Sequence, residues 1–346
     1  MKVLILTFSK EDNRGANLQS FALSYVLQKL GAKVEFLDIQ LIHRYGIKSI
    51  VPLLNNYFAA RFRKKHKFKF TRKYASLDDL KRDVPKADVY IVGSDQVWNT
   101  EITKKIDPRI YFFTFLPSQC RKYAYAASFG TNFWHETPYD AEIKCALKKF
   151  DGVGVREKSG IKICKEYFGL DGAVHVLDPT LLLEEVTVRE LFRPSQKRGG
   201  IFNYFLYIDA QTKEITNKIC ENLSLPLLGV PFNPSYKEKI KAIYGIEKWL
   251  QKIQSAEFVI TNSFHCVVFC ILLRRPFVAV PSSPGKSDRI LSLLDDLGLS
   301  NRFIDKKDRV TRNLLLESID YDDVFNKLNL LKERSLSYIR KVLNEN

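Results

Sequence analysis

Five groups along this chain combine residue types and spacings that could do chemistry. His265 follows the apolar run Phe258-Val259-Ile260 and the polar step Thr261-Asn262-Ser263. Beyond it, apolar residues at helical spacing continue through Ile271 until Pro276 stops them. This pattern sets His265 in the first turn of a helix at the carboxyl end of a parallel strand. Open α/β sheets bind ligands at that edge, and a helix N-terminus favours anions. A histidine that merely caps the helix or packs under it is the competing reading. In Gly93-Ser94-Asp95-Gln96-Val97-Trp98-Asn99, Asp95 offers a carboxylate to align or deprotonate a hydroxyl. Trp98, between Gln96 and Asn99, suits a sugar ring, and a helix-capping Asp beside a core Trp is the competing reading.

The remaining three groups are Asn13 to Gln19, Val153 to Glu157 and Ser283 to Arg289. The first lacks the G-x-G-x-x-G pattern, and Glu11 and Asp12 beside it would repel a phosphate. It therefore reads as a hydroxyl-contacting loop through Asn13 and Asn17, or as plain turn chemistry. Arg156 ends an apolar strand with a planar fork that matches carboxylate or phosphate, unless it is tied up in an ion pair with Glu157 or another acid. Lys286, Ser287 and Arg289 surround a helix start and form a candidate anion cradle, with surface charge as the alternative. No Ser/His/Asp motif, H-E-x-x-H or Cys/His metal spacing accompanies them, so no metal is expected.

These groups sit in a chain of 346 residues, comfortable for two domains. Hydrophobic residues make up 45%, which points to a folded globular protein. Residues 2 to 8 are too short and strand-like for a signal peptide, and no run of about 18 apolar residues occurs. The six Cys, at 120, 145, 164, 220, 266 and 270, lie in mostly apolar contexts and read as reduced, buried thiols of a cytoplasmic protein. Net charge is +16, unevenly spread: between Asp38 and Asp78 ten Lys or Arg occur without one acid. Residues 44 to 73 interleave these cations with aromatics, which suits a peripheral anionic membrane surface or a solvated charged face. No nucleic-acid-binding motif accompanies the charge.

The elements that must position these residues form two consecutive β/α series. The first alternates strands at Lys2–Phe8, Val34–Asp38, Ala87–Val92, Tyr123–Ala127, Gly152–Val155 and Val174–Leu177 with helices. Arg193 to Gly200 reads as a linker. The second series has strands at Phe202–Ile208, Leu225–Val230, Glu257–Ile260 and Phe277–Val280. The expectation is an α/β protein of two Rossmann-like, doubly wound domains facing a cleft. They span residues 1–190, with a basic insertion at 44–73, and 198–321; a closing helix at 322–346 would pack back on the first.

In order along the chain, Asn13 to Leu23, Val92 to Asn99, Ala126 to Gly130, Val153 to Ser159, Asp178 to Leu183 and Thr261 to Phe269 resemble the polysaccharide pyruvyl transferase family. Each piece alone is weak; six in order are specific. The resemblance implies a GT-B-like fold with the acceptor on the first domain and the donor on the second. It implies transfer of a pyruvyl group from phosphoenolpyruvate, as co-substrate, to a saccharide acceptor, free or lipid-linked, in surface polysaccharide synthesis. The usual product is a cyclic ketal, with phosphate released and no cofactor. His265 would then protonate the methylene carbon, and Asp95 would serve the acceptor hydroxyl. Arg156, Ser263, Lys286 and Arg289 would hold the donor; Asn13, Asn17, Trp98 and Asn99 would hold the acceptor. Some family members have Arg at the position of Ser263, so here another cation takes that contact or the donor binds differently. Cys266 stands where many have Gly, narrowing the room beside His265. The alternative is a GT-B nucleotide-sugar glycosyltransferase, for which neither a base pocket nor a ribose-binding Glu is identifiable.

Overall fold

The computed structural model describes residues 1–40, 50–197, 199–282 and 287–344. Lys286, Arg198 and residues 44–49 of the basic stretch lie outside the described residues. The chain divides into two compact units. The first comprises Met1–Ser49, Ala59–Leu182 and Leu331–Asn346, and the second Ile50–Phe58 and Leu183–Leu330. The second unit thus begins ahead of the Arg193 to Gly200 stretch.

Unit 1 is built on seven parallel strands: β1 (Lys2–Leu6), β2 (Lys33–Ile39), β3 (Phe70–Tyr74), β4 (Val89–Val92), β5 (Arg121–Ala127), β6 (Gly152–Val155) and β7 (Ala173–His175), in the order β3-β2-β1-β4-β5-β6-β7. The register pairs Val3 with Val34 on one side of β1 and with Val89 on the other. β4 is buried at every residue, so apolar Val89 to Val92 meets covering elements on both sheet faces. The strand order reverses between β1 and β4, which is the topological switch point where ligands bind in such sheets. Between β5 and β6 the register shifts past Ala124, where Ala126 takes a left-handed φ of 55°.

The basic stretch is not an insertion in its described part. Residues Ile50–Lys65 form a helix and β3 follows it, giving a β-α-β crossover that extends the sheet by one edge strand. Phe62 is fully buried, edge-on to Phe21 at 6.0 Å, and Phe68 stacks on Phe36 at 4.9 Å. The cations Arg72 and Lys73 fall on β3, where charge blunts an otherwise open sheet edge. The last residues of the helix Tyr321–Asn344 belong to unit 1 as well: the Tyr338 hydroxyl donates to Ala124 O at 3.0 Å, and Arg121 donates to Val342 O at 2.9 Å.

Unit 2 carries three parallel strands, β8 (Ile201–Tyr204), β9 (Phe258–Thr261) and β10 (Phe277–Ala279), in the order β10-β9-β8. Single bridges prolong the sheet at both sides, from Ile201 to Leu227 and from Ala279 to Phe303. The expected strand at Leu225–Val230 is thus reduced to one bridge. All six cysteines are unbridged, but Cys145 is exposed, contrary to a wholly buried set. Among the described residues no helix is long and apolar enough to cross a membrane.

Candidate functional site

The carboxyl ends of β4, β5, β6 and β7 are joined by one buried polar network. Asp178, after β7, accepts from the Ser94 hydroxyl at 2.7 Å and from Arg156 Nη1 at 3.1 Å; its other oxygen accepts from Thr180 N at 3.0 Å. Arg156 is 4% exposed and carries Asp95 at 3.8 Å and Glu157 at 4.0 Å as further ionic neighbours. Its guanidinium is therefore set among three carboxylates and does not present its fork to the surface. Glu157, which sequence reasoning treated only as an ion-pair partner, is fully buried and shapes the neighbouring loop. One of its oxygens accepts from the Ser128 hydroxyl at 3.0 Å, Phe129 N at 2.8 Å and Gly130 N at 3.2 Å.

Asp95 occupies a conformation that L-residues avoid, with φ of 85°. Its surroundings over-determine it: its carbonyl accepts from Val97 N at 2.8 Å and Ser128 N at 3.0 Å, and its carboxylate accepts from Gln96 N at 2.8 Å. Such strain costs about 1–3 kcal/mol and tends to gather at working sites. The half-buried Asp95 side chain borders a cavity of about 420 Å³ within unit 1. Phe8, Glu11, Asn13 and Ala16 come to this cavity from the loop and helix after β1. Asp95, Gln96, Glu101, Ile102, Lys105 and Ile106 come from the segment after β4. The cavity thus opens at the switch point of the sheet, the position expected of a ligand site.

Several expected acceptor contacts do not reach it. Trp98 is 1% exposed, lies parallel to Phe112 at 5.2 Å and donates its indole N–H to Tyr111 O at 2.9 Å; its ring is core and cannot meet a sugar. Asn17 is wholly buried, with its amide donating to Glu11 O and Asn13 O at 2.8 Å and accepting from Arg63 at 3.0 Å. It ties down the loop and has no face for a ligand. Asn99 is 2% exposed and donates to the Gln96 side chain at 3.2 Å, so it supports a cavity residue without lining the cavity. Asn13 does line it, while its Oδ1 caps the helix Arg14–Lys29 by accepting from Gly15 N at 2.8 Å.

In unit 2, His265 lies in the first turn of the helix Phe264–Leu272, directly after β9, and is 8% exposed. Asn262 fixes that turn, a role the sequence reading missed. Its side chain accepts from Leu206 N at 2.8 Å and donates to Tyr207 O at 2.6 Å, tying the end of β9 to the segment after β8. Thr261 donates to Tyr204 O at 2.6 Å and accepts from Ser263 N at 3.0 Å. Ser263 is the N-cap residue but makes no side-chain cap bond. Arg289 sits half-buried in the first turn of the helix Asp288–Asp296, with Lys286 outside the described residues. Among the described residues no cluster of three His, Cys, Asp or Glu could hold a metal ion.

Solved structures similar to the whole chain define its class. A putative UDP-N-acetylglucosamine 2-epimerase from Listeria monocytogenes superposes with a TM-score of 0.58 at 12% identity, covering 100% of this chain and 97% of that one. S. aureus MnaA, solved with UDP, gives 0.57 at 11% over 99% and 96%. AviGT4, a glycosyltransferase involved in avilamycin A biosynthesis, gives 0.55 at 13% over 100% and 99%. Two Rossmann-like units of this kind make the protein a member of the GT-B structural class. No curated protein matches the sequence. The profile of the polysaccharide pyruvyl transferase family matches residues 13–284, and the chain belongs to that family.

Proposed function

We propose that the protein transfers a pyruvyl group from phosphoenolpyruvate to two hydroxyls of one sugar, forming a cyclic ketal during assembly of a surface or extracellular polysaccharide. The observation that carries this reading is the family match over residues 13–284, with His265 inside it at the start of a helix. In the proposal His265 gives a proton to the methylene carbon, which becomes the methyl group and leaves C2 electrophilic. A sugar hydroxyl adds to C2 and loses its proton to Asp95. The C2–O bond to phosphate then breaks, the second hydroxyl closes the ketal, and its proton leaves with the phosphate. Ser263, Lys286 and Arg289 are the proposed donor contacts. Arg156 holds Asp95 in place, and a direct donor contact would require Asp178 to give up part of the guanidinium.

Cytoplasmic placement and binding to an anionic membrane face through residues 44 to 73 belong to the same proposal. Lys64, Lys65 and Lys67 are exposed there. Reversing these three charges should release the protein from acidic vesicles; unchanged partitioning removes the membrane element and leaves the chemistry standing. The chemistry itself is tested by phosphate release from phosphoenolpyruvate with a panel of free and lipid-linked glycans, followed by mass spectrometry for an added pyruvyl ketal. Separate thermal melts with phosphoenolpyruvate and with UDP-sugars address the nucleotide-sugar glycosyltransferase alternative. Stabilisation by the UDP-sugars alone would sink the pyruvyl reading.

A further inference from the structure

A second cavity of unit 1, of about 460 Å³, lies at the amino ends of β1, β2 and β3, and the proposed chemistry makes no use of it. Lys2, Lys33 and Lys69 line it beside the apolar Ala32 and Val34. Lys2 opens β1, Lys33 opens β2, and the two are register partners. Lys69 stands immediately before β3, and its carbonyl accepts from Phe36 N at 2.8 Å. Three adjacent strands thus each bring one lysine to the same cavity. Lys2 pairs with Glu35, also in the lining, at 2.7 Å, and its backbone N–H donates to Asp88 at 2.6 Å. Among the described residues, Lys33 and Lys69 make no ion pair and no side-chain hydrogen bond. With Glu35 spent on Lys2, two ammonium charges remain without an acid. Like charges directly opposite on paired strands destabilise a sheet, so Lys33 beside Lys2 costs stability that no contact within the protein offsets. Each ammonium is donor-only, and charge-assisted bonds to phosphate oxygens are the strong ones.

The cationic surface runs on from this cavity. Lys67, at φ of 53°, turns the chain and donates its N–H to Lys64 O at 3.2 Å. Lys64 and Lys67 are exposed and, among the described residues, also without an acid. On the helix Ile50–Lys65, the exposed Leu53, Tyr57, Arg61 and Lys64 share one face by their spacing. Leu53 is 64% exposed and Tyr57 58%. Apolar side chains and cations on one helix face suit a bilayer interface, where the former enter the acyl boundary and the latter meet headgroups. A nucleic-acid backbone has no use for Leu53.

Resting on the membrane element of the proposed function, we infer that the cavity at the amino ends of β1, β2 and β3 seats the phosphate of an anionic lipid headgroup. Lys33 and Lys69 hold the phosphate, and Lys2 divides itself between it and Glu35. Two of these three lysines, Lys2 and Lys33, lie outside the basic stretch 44 to 73. Asp95 follows the carboxyl end of β4, on the other edge of the same sheet, so docking here leaves the Asp95 edge free.

The test is sedimentation of the full chain with phosphatidylcholine vesicles, with and without phosphatidylglycerol. The unaltered protein should bind only the mixed vesicles. Lys33→Gln/Lys69→Gln should weaken that binding at least about tenfold. Lys162→Gln/Lys165→Gln makes the same charge change on the helix Lys158–Glu166, where both side chains are 69% exposed, and should stay within about twofold of the unaltered protein. At low salt and without vesicles, Lys33→Gln/Lys69→Gln should melt no lower than the unaltered protein, because it removes a repulsion. A lower midpoint would show that these lysines serve the fold and would overturn the site. Equal weakening by the two pairs would overturn it as well. Undiminished binding by Lys33→Gln/Lys69→Gln, with release still caused by reversing Lys64, Lys65 and Lys67, would refute the cavity and leave the membrane element standing. Capture of duplex DNA in preference to mixed vesicles would assign the surface to nucleic acid. Thermal stabilisation by inorganic phosphate without vesicle binding would assign the cavity to a free anion, and either result overturns the lipid inference. No vesicle binding at all refutes the site and the membrane element together, while phosphate release from phosphoenolpyruvate decides the pyruvyl reading independently.

Discussion

The Asp95 carboxylate and the Arg156 guanidinium lie 3.8 Å apart, with Asp178 holding the far side of the same guanidinium at 3.1 Å. A cavity-facing acid is thus anchored through a buried cation to the end of a strand three positions away in the sheet. Arg156→Ala leaves Asp178 and Glu157 buried without their counter-ion. We expect a loss of about 3–5 kcal/mol in urea unfolding, with Arg156→Lys losing less. An unchanged midpoint in Arg156→Ala would show that the network does not hold the fold.

His265→Asn should separate chemistry from stability. Phosphate release should fall about 10²- to 10⁴-fold, the usual contribution of a proton donor. The thermal midpoint should stay close to that of the unaltered protein. Full turnover by this variant would remove the acid from the mechanism.

Trp98→Ala should cost about 3–5 kcal/mol, as expected for emptying a core aromatic site, whereas Trp98→Phe should keep the stacking on Phe112 and cost less. Neither should alter the KM for acceptor in whatever fraction remains folded. An acceptor-specific effect in Trp98→Phe would contradict the buried placement.

Gly130→Ala forces a residue with a side chain into the left-handed region and pushes it against Gln96. The strain should cost about 1–3 kcal/mol, and displacement of Gln96 should raise the acceptor KM while leaving the donor KM alone. Steady-state kinetics with each substrate varied in turn would resolve the two.

Asp140 gives a pH signature. Burial alone would raise its pKa, but hydrogen bonds from Thr137, Trp134 and Tyr167 prevail and hold it below the usual carboxylate range. A carboxyl depressed in the folded state stabilises fully above its unfolded pKa of about 4 and loses that contribution as pH falls through the folded value. As pH falls below about 4, denaturation midpoints should therefore drop more steeply for the unaltered protein than for Asp140→Asn. Parallel acid limbs would count against the assignment.

Much of this architecture was legible because buried parallel strands read as apolar runs, as at Val89 to Val92 and Phe258 to Ile260. The helix Ile50–Lys65 and β3 were not, because an edge element stays charged where it faces solvent; Arg72 and Lys73 made a sheet strand look like a solvated insert. Asp95 and Asn13 were legible as cavity residues from their place after strands. Trp98 misled because its polar sequence neighbours concealed its partner Phe112, which the chain supplies from the loop between β4 and β5. Glu157 escaped notice for a related reason. Its main partners are backbone N–H groups of Phe129 and Gly130, which no local motif announces.

Unit 1 is discontinuous in sequence, and that sets the order in which it can be completed. The Ser335 hydroxyl accepts from Leu177 N, Tyr338 donates to Ala124 O and Val342 O accepts from Arg121. All three ties await residues synthesised after the whole of unit 2. On the ribosome, the sheet that carries Asp95 must therefore persist with part of one side uncovered while about 150 further residues emerge, at roughly 5–20 per second. Unit 2 has no such wait for its three strands. The unit that begins first in sequence is the one finished last in time.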